Sequence, residues 1–577
     1  MLHQRAKMAW MKDGDQCSRI FFRKVAKRWA SKRVFQITDG DGQVHTDMPA
    51  VINEFVTYYQ TLLGGTRRNR ALDLRHLRPW ARHVLSEDES LALLAPVSLE
   101  EVKLVVFDID ECKEPGPDGF SAGFFKAAWS VIGGEVTKAI LDFFENGKLL
   151  KQVNSTLISL IPKVNNPTVV AEYRPILCCN VLYKELFASL NQQRLPPRCA
   201  LKVDLRKAYD TVEWDFLDAV LRLFGCPERF IAWIVECVTT PSFSVCLNGA
   251  PHGFFRGARG LQQGDPMSPY LFVLVMEVLS LLIRQIIEQD GGFSYHWKCE
   301  GIQLFQLGFA DDLLLFSKAD LPSVQVFKRA LTIFADMSGL HVNIHKSHLI
   351  LSPSVGPLRD NLLATLDFQE GHLPLRYLGV PLLATRLSIA DCQPILLKID
   401  NRIKGWDGVV LSFAGRVQLI KSVLSALQIY WAMAFILPKH VIKEIEKRLR
   451  TFLWKGNNAV GHAKVSWQQV CRPISEGGLG IRNLQAKNLG LMCRHLWRII
   501  MHDRASIWVD WIYHYRLREY SVWTISGRSG SWGWRKLIRL REAIRPFLCY
   551  HIGMGDSFSL WHDPWHEGGP LILQFPL

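Results

Sequence analysis

The sequence predicts an α+β protein of more than one domain, and three observations carry that prediction. Short apolar runs stop at proline or at a carboxylate, as strands do at the edge of a sheet. Longer stretches repeat their apolar residues at helical spacing. The chain has 577 residues, 48% of them hydrophobic, which is too long for one compact core and points to three or four domains.

The elements follow in order. Residues 1–35 carry ten Lys and Arg against two Asp, interleaved with Trp10, Phe21, Phe22 and Trp29. Basic residues attract phosphates and aromatics stack on bases, but an amphipathic helix with a solvated basic face has the same composition. Arg67 to Arg82 is polar and basic, as a linker is. Pro115-Gly116-Pro117-Asp118-Gly119 is a turn, with Pro fixing φ and Gly admitting positive φ. Asn154 to Pro162 reads as a short strand ended by proline. Cys199 to Asp204 is a second apolar run, ending in a carboxylate. A helix follows, with Thr211 as its N-cap and Trp214, Leu217, Leu221 and Phe224 on one face. Gly225 closes it and Pro227 prevents its continuation. Tyr270 to Ile283 is apolar, too short to span a bilayer and interrupted by Glu277, so it reads as a buried helix. Ile302 to Phe316 reads as a hairpin whose polar tip is Ala310-Asp311-Asp312. Beyond residue 390 the pattern is helical, over Lys398 to Trp406 and Val417 to Lys455. The last hundred residues are rich in Trp, from Trp508 to Trp565.

The formal net charge is +15 and the pI is near 9.2. For such an excess, nucleic acid is the commonest polyanionic partner. The 13 cysteines are scattered without a C-x-x-C pair, which excludes a disulfide framework or a zinc ribbon. His562 and His566 have helical spacing, but no cysteine stands near them and they read as surface histidines. The N-terminus, with Arg5, Lys7 and Lys12, lacks the apolar stretch of a secretion signal. The expected location is therefore nuclear or cytoplasmic, with no membrane partner.

Three carboxylates stand out. Asp204 ends a predicted strand, and Asp311 and Asp312 sit at a predicted hairpin tip. Phosphoryl transfer by two metal ions needs carboxylates held at such rigid points. An Asp at a strand end is most often a cap, and an Asp pair in a turn is usually just solvated. Here the pair is flanked by Leu307, Phe309 and Leu313-Leu314-Leu315-Phe316. Adjacent charges in an apolar hairpin are costly unless a cation or a solvated cleft compensates them.

Phe309-Ala310-Asp311-Asp312 resembles the F-A-D-D catalytic hairpin of reverse transcriptases of LINE-type (non-LTR) retrotransposons. Val203-Asp204-Leu205-Arg206-Lys207-Ala208-Tyr209-Asp210 resembles the metal-binding motif that precedes it. Gly260-Leu261-Gln262-Gln263-Gly264-Asp265-Pro266-Met267-Ser268-Pro269 is similar to G-L-R-Q-G-D-P-L-S-P, with Gln262 in place of the usual Arg. Gly116-Pro117-Asp118-Gly119-Phe120, Leu160-Ile161-Pro162-Lys163 and Tyr173-Arg174-Pro175-Ile176 resemble finger motifs. Gly339-Leu340-His341-Val342-Asn343 with Lys346-Ser347 resembles the next palm motif. Arg376-Tyr377-Leu378-Gly379-Val380-Pro381-Leu382 resembles the primer grip, and Leu411-Ser412-Phe413-Ala414-Gly415-Arg416 a thumb block of plant LINE elements. Glu476-Gly477-Gly478-Leu479-Gly480 and Asp563-Pro564-Trp565 resemble blocks further downstream. The blocks run in family order from about residue 5 to the end.

The resemblance implies a right-hand polymerase. A basic N-terminal linker segment covers 1–95, fingers and a palm with an antiparallel sheet cover 96–385, a helical thumb 386–460, and an α-rich accessory region 461–577. It implies an RNA-directed DNA polymerase that takes an RNA template, a DNA primer and dNTP, with two Mg²⁺ ions or Mn²⁺ in their place. Asp204, Asp311 and Asp312 are the implied metal ligands. Lys346 is the implied proton donor to pyrophosphate. By the same resemblance Lys163, Arg174, Tyr209, Gln263 and Gly264 are the implied nucleotide-binding residues, with Tyr209 excluding a 2′-hydroxyl. Tyr377, Leu378 and Gly379 grip the primer. The sequence departs from the family between Lys184 and Pro197, where members carry a few dozen more residues that help hold the template. Glu185 to Pro196 therefore reads as the scar of a deletion, and a catalytically inactive nucleic-acid-binding relic is the alternative. No endonuclease domain is expected ahead of residue 1 and no Cys/His cluster at the C-terminal end, so the element reads as truncated at both ends.

Overall fold

A computed structural model describes residues 33–64, 70–109, 120–149, 155–159, 168–169, 196–262, 265–383, 385–406, 411–455, 465–503, 505–518, 520–528, 530–552 and 559–575. The turn at Pro115 to Gly119, the residues Lys163, Arg174, Gln263 and Gly264, and the shortened stretch 185–195 lie outside these residues. The chain divides into two compact units. One comprises Met1–Ile176, Asp204–Gly292 and Gln325–Asn343, and the other Leu177–Val203, Phe293–Val324 and Ile344–Leu577.

The first unit joins helices to a three-stranded sheet. Strands Ser155–Ser159 and Ser242–Leu247 pair in parallel, and Ala250–Arg256 runs antiparallel to the second. Asn248 and Gly249, at φ 53° and 94°, make the left-handed two-residue turn that suits the twist of a hairpin. Helix Met48–Leu63 buries Val51, Phe55 and Leu63 against Phe243, Val245 and Phe255. Full burial of one such aromatic stabilises by about 2 kcal/mol. The strand predicted over Asn154 to Pro162 is thus present, as is the buried helix, which runs from Ser268 to Asp290. That helix is long and apolar enough to cross a membrane by length and composition. Leu271, Phe272, Val275, Val278, Leu279 and Leu282 are nevertheless buried in the unit, so its hydrophobicity is that of a core helix.

Two local expectations change. Helix Trp214–Leu223 takes Glu213, not Thr211, as its N-cap residue. The Thr211 hydroxyl donates instead to the carbonyls of Arg206 and Lys207, at 3.3 Å each, so it is engaged by the preceding turn. Gly225, at φ 82°, ends the helical stretch as expected. The stretch predicted as a linker over Arg67 to Arg82 docks where it is described. Arg70 N–H donates to Asp215 at 3.0 Å, Leu77 is buried, and Arg78 donates to the carbonyls of Arg222 and Leu223. A helix C-terminus leaves carbonyls without intrahelical partners, and a guanidinium satisfies them.

The second unit is built on a five-stranded sheet. Its order is Gln369–Glu370, His348–Leu351, Arg198–Asp204, Asp312–Lys318, Gln306–Phe309. The edge pair of Gln369–Glu370 with His348–Leu351 is parallel; His348–Leu351 runs antiparallel to Arg198–Asp204, and Gln306–Phe309 to Asp312–Lys318. Leu313, Leu314, Leu315, Leu349 and Leu201 have no exposed surface. Ala200, Leu314, Phe316, Ile350 and Tyr377 pack in one core with Trp508, Trp511 and Trp534. The Trp-rich C-terminal stretch therefore covers a face of the sheet, and the Trp511 indole N–H donates to the Lys298 carbonyl at 2.8 Å. A second core joins Gln393–Lys404, Ser425–Ala434 and Lys439–Lys455 through Ile395, Ile399, Trp431, Val441, Ile445 and Leu449. The helical run expected over Val417 to Lys455 breaks between Phe435 and Pro438, where proline lacks the N–H that a continuing helix needs.

Candidate active site

In the first unit, Asp204 is the last residue of its strand and is half-buried. Its carbonyl accepts the Asn343 main-chain N–H at 2.7 Å, and its Oδ2 accepts the Asn343 side-chain amide at 3.2 Å. Leu205 bridges Val342, and Arg206 N–H donates to the His341 carbonyl at 2.9 Å. Tyr209 follows on a one-turn 3-10 helix, Ala208–Asp210. Its ring stacks on Phe272, with centroids 4.5 Å apart and planes 20° from parallel. The Tyr209 carbonyl accepts Leu261 N–H at 2.6 Å and the Val212 carbonyl accepts Gly260 N–H at 2.8 Å. The start of the Gly260 to Pro269 motif is thereby clipped to the Asp204 loop. Gly260 has φ 91°, and a Cβ there would lie 2.7 Å from the Asp210 carbonyl oxygen, so this approach admits only glycine. Lys207, itself at φ 49°, holds its ammonium over the Tyr58 ring at 4.4 Å.

In the second unit, Phe309 pairs with Asp312, which leaves Ala310 and Asp311 as a two-residue turn. Ala310 adopts φ 52°, a left-handed value that is strained for a residue with a Cβ and that sets Asp311 at the apex. Asp311 and Asp312 are half-buried, whereas the next five residues of the strand, from Leu313 to Ser317, are buried. Lys202 Nζ stands 3.8 Å from Asp312 Oδ1. The Tyr377 hydroxyl donates to the Asp312 carbonyl at 3.2 Å, and Tyr377 is itself 1% exposed. Tyr377 ends one strand of the hairpin Leu375–Tyr377 and Val380–Leu382. Leu378 and Gly379, both at positive φ, form its turn, and the Tyr430 hydroxyl donates to the Leu378 carbonyl. The structure thus ties the hairpin expected to grip the primer to the Asp311-Asp312 turn. Lys346 is exposed on the 3-10 turn Ile344–Lys346.

The sequence marks no role for Asn343, Phe272 or Tyr58. Asn343 stood inside a recognisable motif, but no periodicity marks which carboxylate it meets. Among the described residues, no three His, Cys, Asp or Glu side chains lie close enough together to hold a metal ion. The donors do suit a hard divalent cation in kind, being half-buried carboxylates that a cation can reach. His566 is exposed and its Nδ1 accepts the Gly568 N–H at 3.1 Å. Asp563 is buried and accepts the Ser559 N–H at 2.7 Å, with burial pushing its carboxyl above the ordinary value. The Asp563-Pro564-Trp565 block is thus a structural turn.

Residues 150–382 match the reverse transcriptase (RNA-dependent DNA polymerase) family. The transposon TX1 149 kDa protein of Xenopus laevis is 23% identical over 556 residues, covering 87% of this chain and 41% of that protein. The Pol polyprotein of the type-2 retrotransposable element R2DM of Drosophila melanogaster is 24% identical over 485 residues, covering 74% of this chain and 44% of that protein. An uncharacterized mitochondrial protein of Arabidopsis thaliana is 32% identical over 146 residues, which are 92% of that protein and 24% of this chain. The chain therefore spans less than half the length of the two transposon relatives. Reverse transcriptases depend on a divalent metal, in keeping with the carboxylates described above. With its α+β architecture, its hairpin of paired aspartates and these relatives, the chain carries a reverse transcriptase domain and is similar to the proteins of LINE-type, non-LTR retrotransposons.

Proposed function

We propose that this chain is an RNA-directed DNA polymerase that extends a DNA primer on an RNA template. The observation that carries the reading is the strained Ala310-Asp311 turn, which presents two adjacent carboxylates just ahead of the buried strand residues from Leu313 to Ser317. Such an arrangement is expensive for a merely structural turn.

In the proposed reaction the primer 3′-hydroxyl attacks the α-phosphorus of a dNTP. The new P–O bond forms in line with the bond that breaks to the β-phosphate, and pyrophosphate leaves. Asp204 and Asp311 would hold two Mg²⁺ ions, or Mn²⁺, with Asp312 in support. When bound, the metals lower the pKa of the attacking hydroxyl and neutralise the leaving oxygens. Tyr209, backed by Phe272, offers a flat wall against the sugar and leaves no room for a 2′-hydroxyl. Lys163 and Arg174 grip the triphosphate, Gln263 and Gly264 contact template and nucleotide, and Lys346 returns a proton to pyrophosphate. Tyr377, Leu378 and Gly379 seat the primer end. The four-part division of the chain and its nuclear or cytoplasmic location belong to the same reading.

Primer extension with purified protein on an RNA template tests it. Wild type extends the primer, and Asp311→Asn lowers the rate by about 10³-fold or more, the scale of losing a principal charge-stabilising group. If wild type and Asp311→Asn are equally inactive in both Mg²⁺ and Mn²⁺, the polymerase reading fails. Salt-dependent primer–template binding without extension then identifies an inactive relic.

A further inference from the structure

The Asp204 carboxylate is held by a device unlike the one beside Asp312. Residues 341–343 run alongside 204–206 and exchange the main-chain contacts Arg206 to His341, Leu205 with Val342, and Asn343 to Asp204. This clip is closed at its far end by Gly339. At φ 77°, a Cβ there would stand 2.5 Å from the Thr211 carbonyl oxygen and 2.9 Å from Glu213 Cγ. Nearby, Glu213 N–H donates to the Ser338 carbonyl at 2.9 Å, and the buried Ser338 hydroxyl accepts Leu340 N–H at 3.1 Å. The main chain thus fixes where Asn343 begins, independently of its side chain.

What the side chain adds is orientation. The terminal torsion of an aspartate is broad and nearly two-fold, so a carboxylate at a strand end turns freely unless a donor holds one oxygen. The Asn343 amide supplies one such donor, at 3.2 Å from Oδ2. An amide is neutral, so it orients the carboxylate without cancelling its charge, and it does not compete with a divalent cation as an ammonium does. Partners of this kind, one step removed from a metal, typically govern affinity by fixing the ligand's geometry.

We propose that Asn343 is a positioning residue that fixes the rotamer of the Asp204 carboxylate for a divalent metal. The assignment rests on the polymerase reading and goes one residue beyond it. Its test uses the full chain and Mn²⁺ as the probe, followed by electron paramagnetic resonance of free Mn²⁺, beside Mg²⁺ titrations of primer extension. Asn343→Ala weakens Asp204-dependent Mn²⁺ binding about tenfold or more and raises the Mg²⁺ needed for half-maximal extension in parallel. High Mg²⁺ recovers most of the rate, and the KM for dNTP at saturating Mg²⁺ stays unchanged. Asp204→Asn, the reference variant, loses that Mn²⁺ site altogether. Amide exchange of 204–206 and 341–343 stays as in wild type, because the main-chain clip does not depend on the amide.

Unchanged Mn²⁺ affinity and Mg²⁺ requirement in Asn343→Ala, with an active wild type, overturns the positioning role and leaves the polymerase reading standing. Faster exchange across the clip in Asn343→Ala overturns it too, since the residue is then simply structural. A wild type that binds Mn²⁺ through Asp204 but never extends a primer overturns the polymerase reading, while a weaker Mn²⁺ site in Asn343→Ala still supports the positioning role. A wild type that does neither overturns both.

Discussion

The Asp204 loop of the first unit and the Asp311-Asp312 hairpin of the second hold their carboxylates by different physics. Around Asp204 the grip is polar and local. Main-chain hydrogen bonds join residues 204–206 to 341–343, an amide holds one carboxylate oxygen, and glycines sit at Gly260 and Gly339 where a Cβ would strike a carbonyl. Around Asp312 the grip is apolar. The strand behind the turn is buried, its core is completed by Trp508, Trp511 and Trp534, and one tyrosine hydroxyl anchors the turn. Hydrogen bonds are directional and set angles, whereas packed apolar strands resist displacement but orient little by themselves. The loop that carries Asp204 uses the first, and the turn that carries Asp311 and Asp312 uses the second.

The contrast predicts which changes break which unit. The largest effect is expected for Trp511→Ala, which leaves a cavity and frees the Lys298 carbonyl. It destabilises the second unit by about 3–5 kcal/mol, read as faster amide exchange over Leu313 to Phe316 while 204–206 exchange as before. Gly339→Ala does the reverse. A residue with a Cβ at φ 77°, pressed against the Thr211 carbonyl, costs about 2–3 kcal/mol and opens the Asp204 clip with the hairpin strands unchanged. Loss of protection in both regions at once, in either variant, removes the distinction.

Acid sharpens the comparison further. His296 is buried, and its pKa is lowered to about 3 by desolvation, with Lys298 and Arg198 adding to the effect. The unfolded histidine binds a proton near its ordinary value of about 6.5, so between there and pH 3 the unfolded state holds more protons. The contribution of His296 is present above that value and fades as pH falls, by up to about 1.4 kcal/mol per pH unit. Urea midpoints of the second unit therefore decline on acidification across this window, and His296→Phe flattens the slope. The smallest effect is expected for Tyr377→Phe. It removes one hydrogen bond to the Asp312 carbonyl, costs about 1 kcal/mol and lowers primer extension more than it lowers global stability.

Much of the fold is legible because its signals are short-range. The apolar run ending in Asp204, the hairpin around Ala310-Asp311-Asp312 and the helix ended by Gly225 each lie within a dozen or so residues. Where a local signal had two uses, the sequence misled. Thr211 has the chemistry of an N-cap, but its hydroxyl serves the turn before it. Arg67 to Arg82 has the composition of a linker, yet Arg70 and Arg78 find carboxylate and carbonyl partners on helix Trp214–Leu223.

By itself the sequence determined the family resemblance, the strand that ends in Asp204 and the hairpin that turns at Ala310-Asp311, because each is written in adjacent residues whose chemistry is locally constrained. The tertiary structure alone decided that Asn343 reaches Asp204, that Tyr377 reaches the turn at Asp312, and that the Trp-rich stretch closes the core behind that turn. Those contacts join residues tens to hundreds of positions apart, where periodicity carries no information and only the folded chain selects which side chains meet.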